Sequence, residues 1–270
     1  MSQDQNDKSM ALMEHIGELR VRAMRMLYVF VAGFIGGYLV SNPVMEWLRA
    51  PLFQALPEEK RFLYFTSLFE NFMTHLKIAG YLSIFGLSPY FFYEIWGFIA
   101  PGLKSKERKL ILPFVGAATF FFVGGALFAY YVLFPVGFKY FVHYGVATDM
   151  PMLTIDAYYS TCLKLMLLFG LGFELPVFVS LLGALGVVDA PTLRAQRRNA
   201  VIGITILSAM FAPPDAVSML ILMAPLIILF ELSILVVAWF GSRRKLSAEA
   251  EAAAAAKEAS EGPIVGKSDY

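Results

Sequence analysis

Apolar positions along the chain fall into six long runs separated by short polar stretches, at 24–40, 69–98, 111–134, 157–188, 200–212 and 216–240. Four of them exceed the ~20 residues an α-helix needs to cross ~30 Å of hydrocarbon, and the first is just long enough. The fifth has about 13 residues, which reach only ~20 Å at a helical rise of ~1.5 Å per residue. It ends at Pro213-Pro214, which breaks the helix and forces a tight reversal into the sixth. The pattern predicts an all-α, polytopic membrane protein of six transmembrane helices, with helices five and six short and paired as a shallow hairpin. The expected organisation is a polar N-terminal segment over 1–23, a membrane domain over 24–240 and a tail over 241–270.

Composition agrees with this reading. The chain is 58% hydrophobic and only 16% charged, with a mean hydropathy of +0.64. Soluble domains lie nearer ~45–50% apolar and ~25% charged. Asp4, Asp7, Glu14 and Glu18 are wrong for the basic start of a cleaved signal peptide, so the N-terminal segment is expected to be an interfacial helix. The tail has too few apolar residues to pack and is expected to be disordered or loosely helical. The single cysteine, Cys162, excludes an internal disulfide and any multi-cysteine metal site.

The net charge of +1 hides a sorting by position. Arg20, Arg22 and Arg25 precede the first run, and Lys104, Lys106, Arg108 and Lys109 lie between the second and third. Arg194, Arg197 and Arg198 precede the fifth, and Arg243, Arg244 and Lys245 follow the sixth. On the other side Arg49, Lys60 and Arg61 are offset by Glu46, Glu58 and Glu59. The positive-inside rule then puts both termini in the cytoplasm, with Trp96 and Trp239 in one aromatic belt and Trp47 in the other. Lys77 and Lys164 lie within runs, where their stems can snorkel outward.

Catalytic motifs are absent: the chain has no G-x-S-x-G, H-E-x-x-H or Walker loop, and His15, His75 and His143 are scattered. No catalytic residue, metal or other cofactor is expected. Glu174 is the exception to an otherwise apolar interior, in LLFGLGFELPVFVSLLGALG at 167–186. An intramembrane carboxylate costs ~2.5–3.5 kcal/mol on insertion scales, so such residues usually face a bundle interior or a wet cavity and act there. The structural alternative is a hydrogen-bonded glutamate within the packing. Glu231, by contrast, lies as deep as Arg198 and is expected to be interfacial and paired.

Two stretches on the basic side are more specific. HIGELRVR (15–22) sets Glu18 beside Arg20 and Arg22, and FYEIWGFIAPGLKSKERKL (92–110) sets Glu107 among Lys106, Arg108 and Lys109. Taken alone, both glutamates read as surface salt-bridge partners of their neighbours, worth only ~0–1 kcal/mol.

With FVGGALFAYYVLFPVGFKYF (122–141), GFELPVF around Glu174 and APPD at 212–215, these stretches resemble the TatC family, the receptor subunit of the twin-arginine protein translocase. The resemblance runs from about 15 to 240. It implies six helices in a concave bundle in the bacterial cytoplasmic (inner) membrane. It also implies recognition of twin-arginine signal peptides on folded cargo, and export driven by the proton-motive force. Implied partners are single-span TatA- and TatB-type subunits, membrane lipid and further copies of the chain in a receptor complex; nucleic acid is not among them. The family's signal-peptide site maps onto Glu18 and Glu107, with Phe98, Arg20 and Arg108 nearby. Planar guanidinium groups pair bidentately with carboxylates, and lysine would lose that fork. At the outer turn Pro213, Pro214 and Asp215 match, whereas Ala212 and Met219 stand where the family often has polar residues. Asp215 reads equally well as an N-cap. The alternative from another class is a proton-coupled small-solute transporter using Glu174; an intramembrane hydrolase lacks a nucleophile–base pair.

Overall fold

The computed structural model describes residues 2–99, 111–144, 152–184, 186–211 and 215–260. They form α1 (Ser2–Leu39), α2 (Ser41–Ala55), α3 (Glu70–Gly86), α4 (Ser88–Ile99), α5 (Ile111–Phe128), a π-turn (Ala129–Leu133) and α6 (Phe134–Tyr144). After a break come α7 (Ile155–Ala184), α8 (Ala190–Ala195), α9 (Arg197–Phe211) and α10 (Ala216–Ser260). Extended pairing among the described residues is limited to one bridge, Tyr64 to Thr154. Among the described residues three stretches are long and apolar enough to cross a membrane: Leu112–Tyr140, Ile155–Gly183 and Ala216–Trp239. Residues Met13–Leu39 of α1 together with α2 make a fourth candidate, bent by 72°.

Prolines set most of the breaks. The ring of Pro43 opposes the carbonyl of Leu39, and α1 turns into α2 at Val40. The second expected helix is two pieces, α3 and α4, because Pro89 cannot donate to the carbonyl of Phe85; the hydroxyl of Ser88 does so instead at 2.8 Å. Pro135 similarly removes the donor to Tyr131, and the chain widens into the π-turn, where the Phe134 amide reaches back to Ala129. Pro51 deprives the Trp47 carbonyl, which accepts the Tyr130 hydroxyl at 2.7 Å.

Other boundaries differ from the pattern-based expectation. No break separates residues 2–23 from the first span; both belong to α1. Of the two readings of the tail, the helical one holds as far as Ser260, because AEAEAAAAAKEA is built from the strongest helix formers and needs no packing stripe to favour the helix. Helix six is therefore not short: α10 has 45 residues, with an apolar stretch of 24. Only its partner α9 is short, at 15 residues or ~22 Å. The hairpin's depth is set by α9, whose Arg197 donates to Glu231 of α10 at 2.6 Å, the pairing expected for that glutamate.

Small residues let helices approach. A Cβ at Gly37 would stand 2.8 Å from the Ala79 carbonyl, so α1 lies backbone to backbone on α3. Next to it Ser83 donates to the Phe30 carbonyl at 2.8 Å. The largest core gathers at the end away from Glu18 and Arg22, around Leu48, Phe134, Tyr159, Cys162 and Phe169. There the hydroxyls of Tyr158 and Tyr159 reach the carbonyls of Leu48 and Met45 at 2.6 and 2.8 Å, pinning α2 across α7. Glu70, the first residue of α3, ties the adjoining loops together. It accepts from the Thr66 amide and hydroxyl at 2.6 and 2.8 Å and from the Asp156 amide at 2.7 Å. Those amide bonds hold its carboxyl down to about 2. Lys77 does not snorkel free; it pairs with Asp156 and donates to Ser160 at 2.9 Å. Trp96 is 6% exposed and packs with Phe114 and Leu181.

Candidate functional site

The long α1 carries its polar start past the end of α4, and this overlap creates the site. Glu18 lies one turn before Arg22, so both project from one face. Glu18 Oε1 accepts from Arg22 Nε at 2.9 Å and from Nη2 at 2.7 Å. The remaining arm, Nη1, crosses to α4 and donates to Glu94 Oε2 at 2.9 Å. Glu94 is only 3% exposed. Its other oxygen accepts the Tyr90 hydroxyl at 2.9 Å and lies 3.9 Å from Arg25 Nη1. Buried carboxylates need such partners, because desolvation without them is costly. Gly97 gives the Arg22 guanidinium its room: a Cβ there would sit 2.5 Å from Nη1.

One turn before Glu18, His15 stacks on Phe98, with ring centroids 4.2 Å apart and planes 10° from parallel. Phe98 thus lies against the turn of α1 that carries Glu18. Arg20 does not meet Glu18; two residues on, it projects from the other side of α1 and is exposed. Glu107 and Arg108, with Pro213 and Pro214, lie outside the described residues.

Glu94 was missed by the sequence reading, which took Glu174 to be the one acid within an apolar run. The signal was present in PYFFYEIWGF, an acid among aromatic residues. Its burial depends on α1 reaching back over α4, which the hydrophobic pattern does not encode.

The arrangement can bind guanidinium groups, and it does so with its own arginine. A carboxylate that is one-third exposed, Glu18, stands at the rim, and a fully covered one, Glu94, stands behind. Charge-assisted forks of this kind are the stronger hydrogen bonds and demand planar geometry.

Two further predicted positions stand elsewhere. Glu174 is half-buried on α7, and its Oε1 is buried without a hydrogen-bond partner. Two residues on, Pro176 interrupts the helical ladder, and Ser180 donates to the Pro176 carbonyl. Asp215 caps α10: its carboxylate accepts from the Ser218 amide at 2.7 Å and the Ser218 hydroxyl at 2.5 Å. The Ser218 side chain holds the Asp215 carboxyl below the usual range.

A family model described as Sec-independent protein translocase protein (TatC) matches residues 14–225. A protein of that name from Desulforapulum autotrophicum is 36% identical over 240 residues, 89% of this chain and 88% of the relative. Another, from Magnetococcus marinus, is 37% identical over 224 residues, 83% of this chain and 82% of its own. Among solved structures the chain resembles a crystal structure of the twin arginine translocase receptor TatC, with a TM-score of 0.75 and 28% identity over 84% of this chain and 99% of the other. A second crystal structure of that receptor, in DDM, gives a TM-score of 0.76 and 30% identity over 82% and 98%.

Proposed function

The chain belongs to the TatC family of Sec-independent protein translocase proteins, and from that membership we propose that it is the receptor subunit of a twin-arginine translocase. It binds the twin-arginine signal peptides of folded cargo at the end of the bundle where α1 meets α4. It sits in the bacterial inner membrane with both termini in the cytoplasm, and with TatA- and TatB-type subunits it exports cargo using the proton-motive force. It acts as a translocase component and not as an enzyme.

The observation that carries this reading is the grip of Glu18 Oε1 on two nitrogens of one guanidinium at the rim of the arginine-rich end. Phe98 flanks it on the last turn of α4, from which the chain continues to Glu107 and Arg108. Two spaced carboxylates, Glu18 and Glu107, would each take one arginine of the pair. The half-buried Glu174, with an unpaired buried oxygen, serves as a polar anchor for a partner helix beside the short α9–α10 hairpin. A hairpin arm of ~22 Å beside longer neighbours thins the bilayer locally and eases passage of a bulky cargo. No observation favours the small-solute transporter.

Charge reversal tests the assignment. Glu18→Arg and Glu107→Arg should each block export of a folded twin-arginine cargo while the protein remains inserted, whereas Glu18→Gln, which still accepts hydrogen bonds, should be milder. Normal signal-peptide crosslinking in the doubly reversed protein would contradict it.

A further inference from the structure

Glu18, the acid assigned to an incoming arginine, is already occupied. Both nitrogens of one guanidinium edge of Arg22 lie on its Oε1, at 2.9 and 2.7 Å. A peptide arginine that seeks the same carboxylate meets a residue of like charge and identical shape. For the site to open, Arg22 must have somewhere else to go.

We propose that Arg22 is an internal stand-in for the signal-peptide arginine, and that Glu94 is the acid that keeps Arg22 when the peptide takes Glu18. This rests on the receptor-site reading of Glu18 above.

The geometry supports an exchange with few moving parts. Arg22 Nη1 is bonded to Glu94 at 2.9 Å before any peptide arrives, so Arg22 can swing off Glu18 without becoming unpaired. Glu94 is fixed behind it: 3% exposed, held by the Tyr90 hydroxyl at 2.9 Å, with Arg25 at 3.9 Å. Gly97 presents bare backbone to the guanidinium and leaves space for a tighter approach to α4. Glu18, one-third exposed, is the acid that solvent and a peptide can reach. Glu18, Glu94, Arg22 and Arg25 sum to zero when closed; with a peptide arginine on Glu18 that pair is neutral, and Arg22 and Arg25 together carry one positive charge more than Glu94, which falls to Arg25, whose side chain is 60% exposed.

This makes Arg22 and Glu94 positioning residues with opposite effects. Removing the competitor should tighten binding, and removing its second seat should weaken binding, because Arg22 is then left wholly on Glu18. General damage to the fold would weaken both.

The test uses the purified full-length chain in detergent and a fluorescent synthetic peptide with two adjacent arginines followed by apolar residues. Arg22→Gln should bind about five-fold more tightly, the size of one partly exposed ion pair. Arg22→Lys keeps the charge but loses the fork and should fall between Arg22→Gln and wild type. Glu94→Gln should bind more weakly than wild type, with Glu94→Asp recovering part of the loss. Wild-type or weaker binding by both Arg22 variants, while Glu18→Arg still abolishes binding, would overturn the exchange and leave the receptor site standing. Retained binding by Glu18→Arg would overturn the site itself, and the exchange with it.

Discussion

Removing one hydroxyl, in Tyr130→Phe, isolates a backbone repair. The Trp47 carbonyl lacks its helical donor because residue 51 is proline, and the Tyr130 hydroxyl supplies the bond at 2.7 Å. Phenylalanine keeps the ring, which stacks on Trp47 at 3.7 Å, and is accommodated at a site only 5% exposed. The substitution therefore removes a hydrogen bond worth ~1 kcal/mol net and strands a covered carbonyl, for a total loss of about 1–3 kcal/mol. Pro51→Ala restores an amide at position 51 that can serve the same carbonyl. In that background Tyr130→Phe should cost at least ~1 kcal/mol less, a coupling expected only of groups that share a partner. Denaturant unfolding of the purified protein in detergent, across the four members of the cycle, measures it. Equal losses in both backgrounds would refute the claim that tyrosine and missing amide compensate each other.

Three other expectations follow from the structure. Cysteines placed at Lys106 and Arg194 should be protected from impermeant maleimides in intact cells while one at Glu58 labels; labelling of the first two would reverse the orientation. Glu70, the first residue of α3, titrates at about 2 in the folded chain against 4.5 ordinarily, so its contribution to stability is complete above about 4.5 and is lost as pH falls toward 2. Glu70→Gln should flatten the stability profile in that acid window and leave its slope above pH 5 unchanged; an unchanged acid limb would contradict the assignment. Glu174→Ala should lower transport or partner crosslinking yet spare signal-peptide binding, and wild-type transport by that variant would remove Glu174 from the mechanism.

Much of the architecture was legible because hydrophobic runs of membrane length have few alternative readings. The third, fourth and sixth runs reappear as the apolar stretches of α5–α6, α7 and α10. The shortness of α9, which ends at Phe211, was apparent from sequence. What the apolar pattern does not mark is continuity through polar or alanine-rich sequence: the helix before Met24 runs unbroken into the first span, and the helix of the sixth run continues from Leu246 to Ser260. The break at Leu87 was signalled by Ser88-Pro89 but masked by an unbroken apolar run. Within the site, Glu18 and Phe98 could be named because local motifs carry them. Glu94 could not, since an acid in an aromatic run becomes buried only when an arginine 72 residues earlier in the chain arrives to meet it.

The receptor assignment stands most directly on the affinity of the purified chain for a twin-arginine signal peptide compared with the same peptide carrying two lysines. Glu18 holds a guanidinium by two nitrogens at 2.7 and 2.9 Å, a grip that a lysine ammonium cannot reproduce. The account predicts saturable binding of the arginine peptide, with the lysine peptide at least ~10-fold weaker for the loss of ~1.4 kcal/mol or more. Equal binding of the two peptides would contradict it.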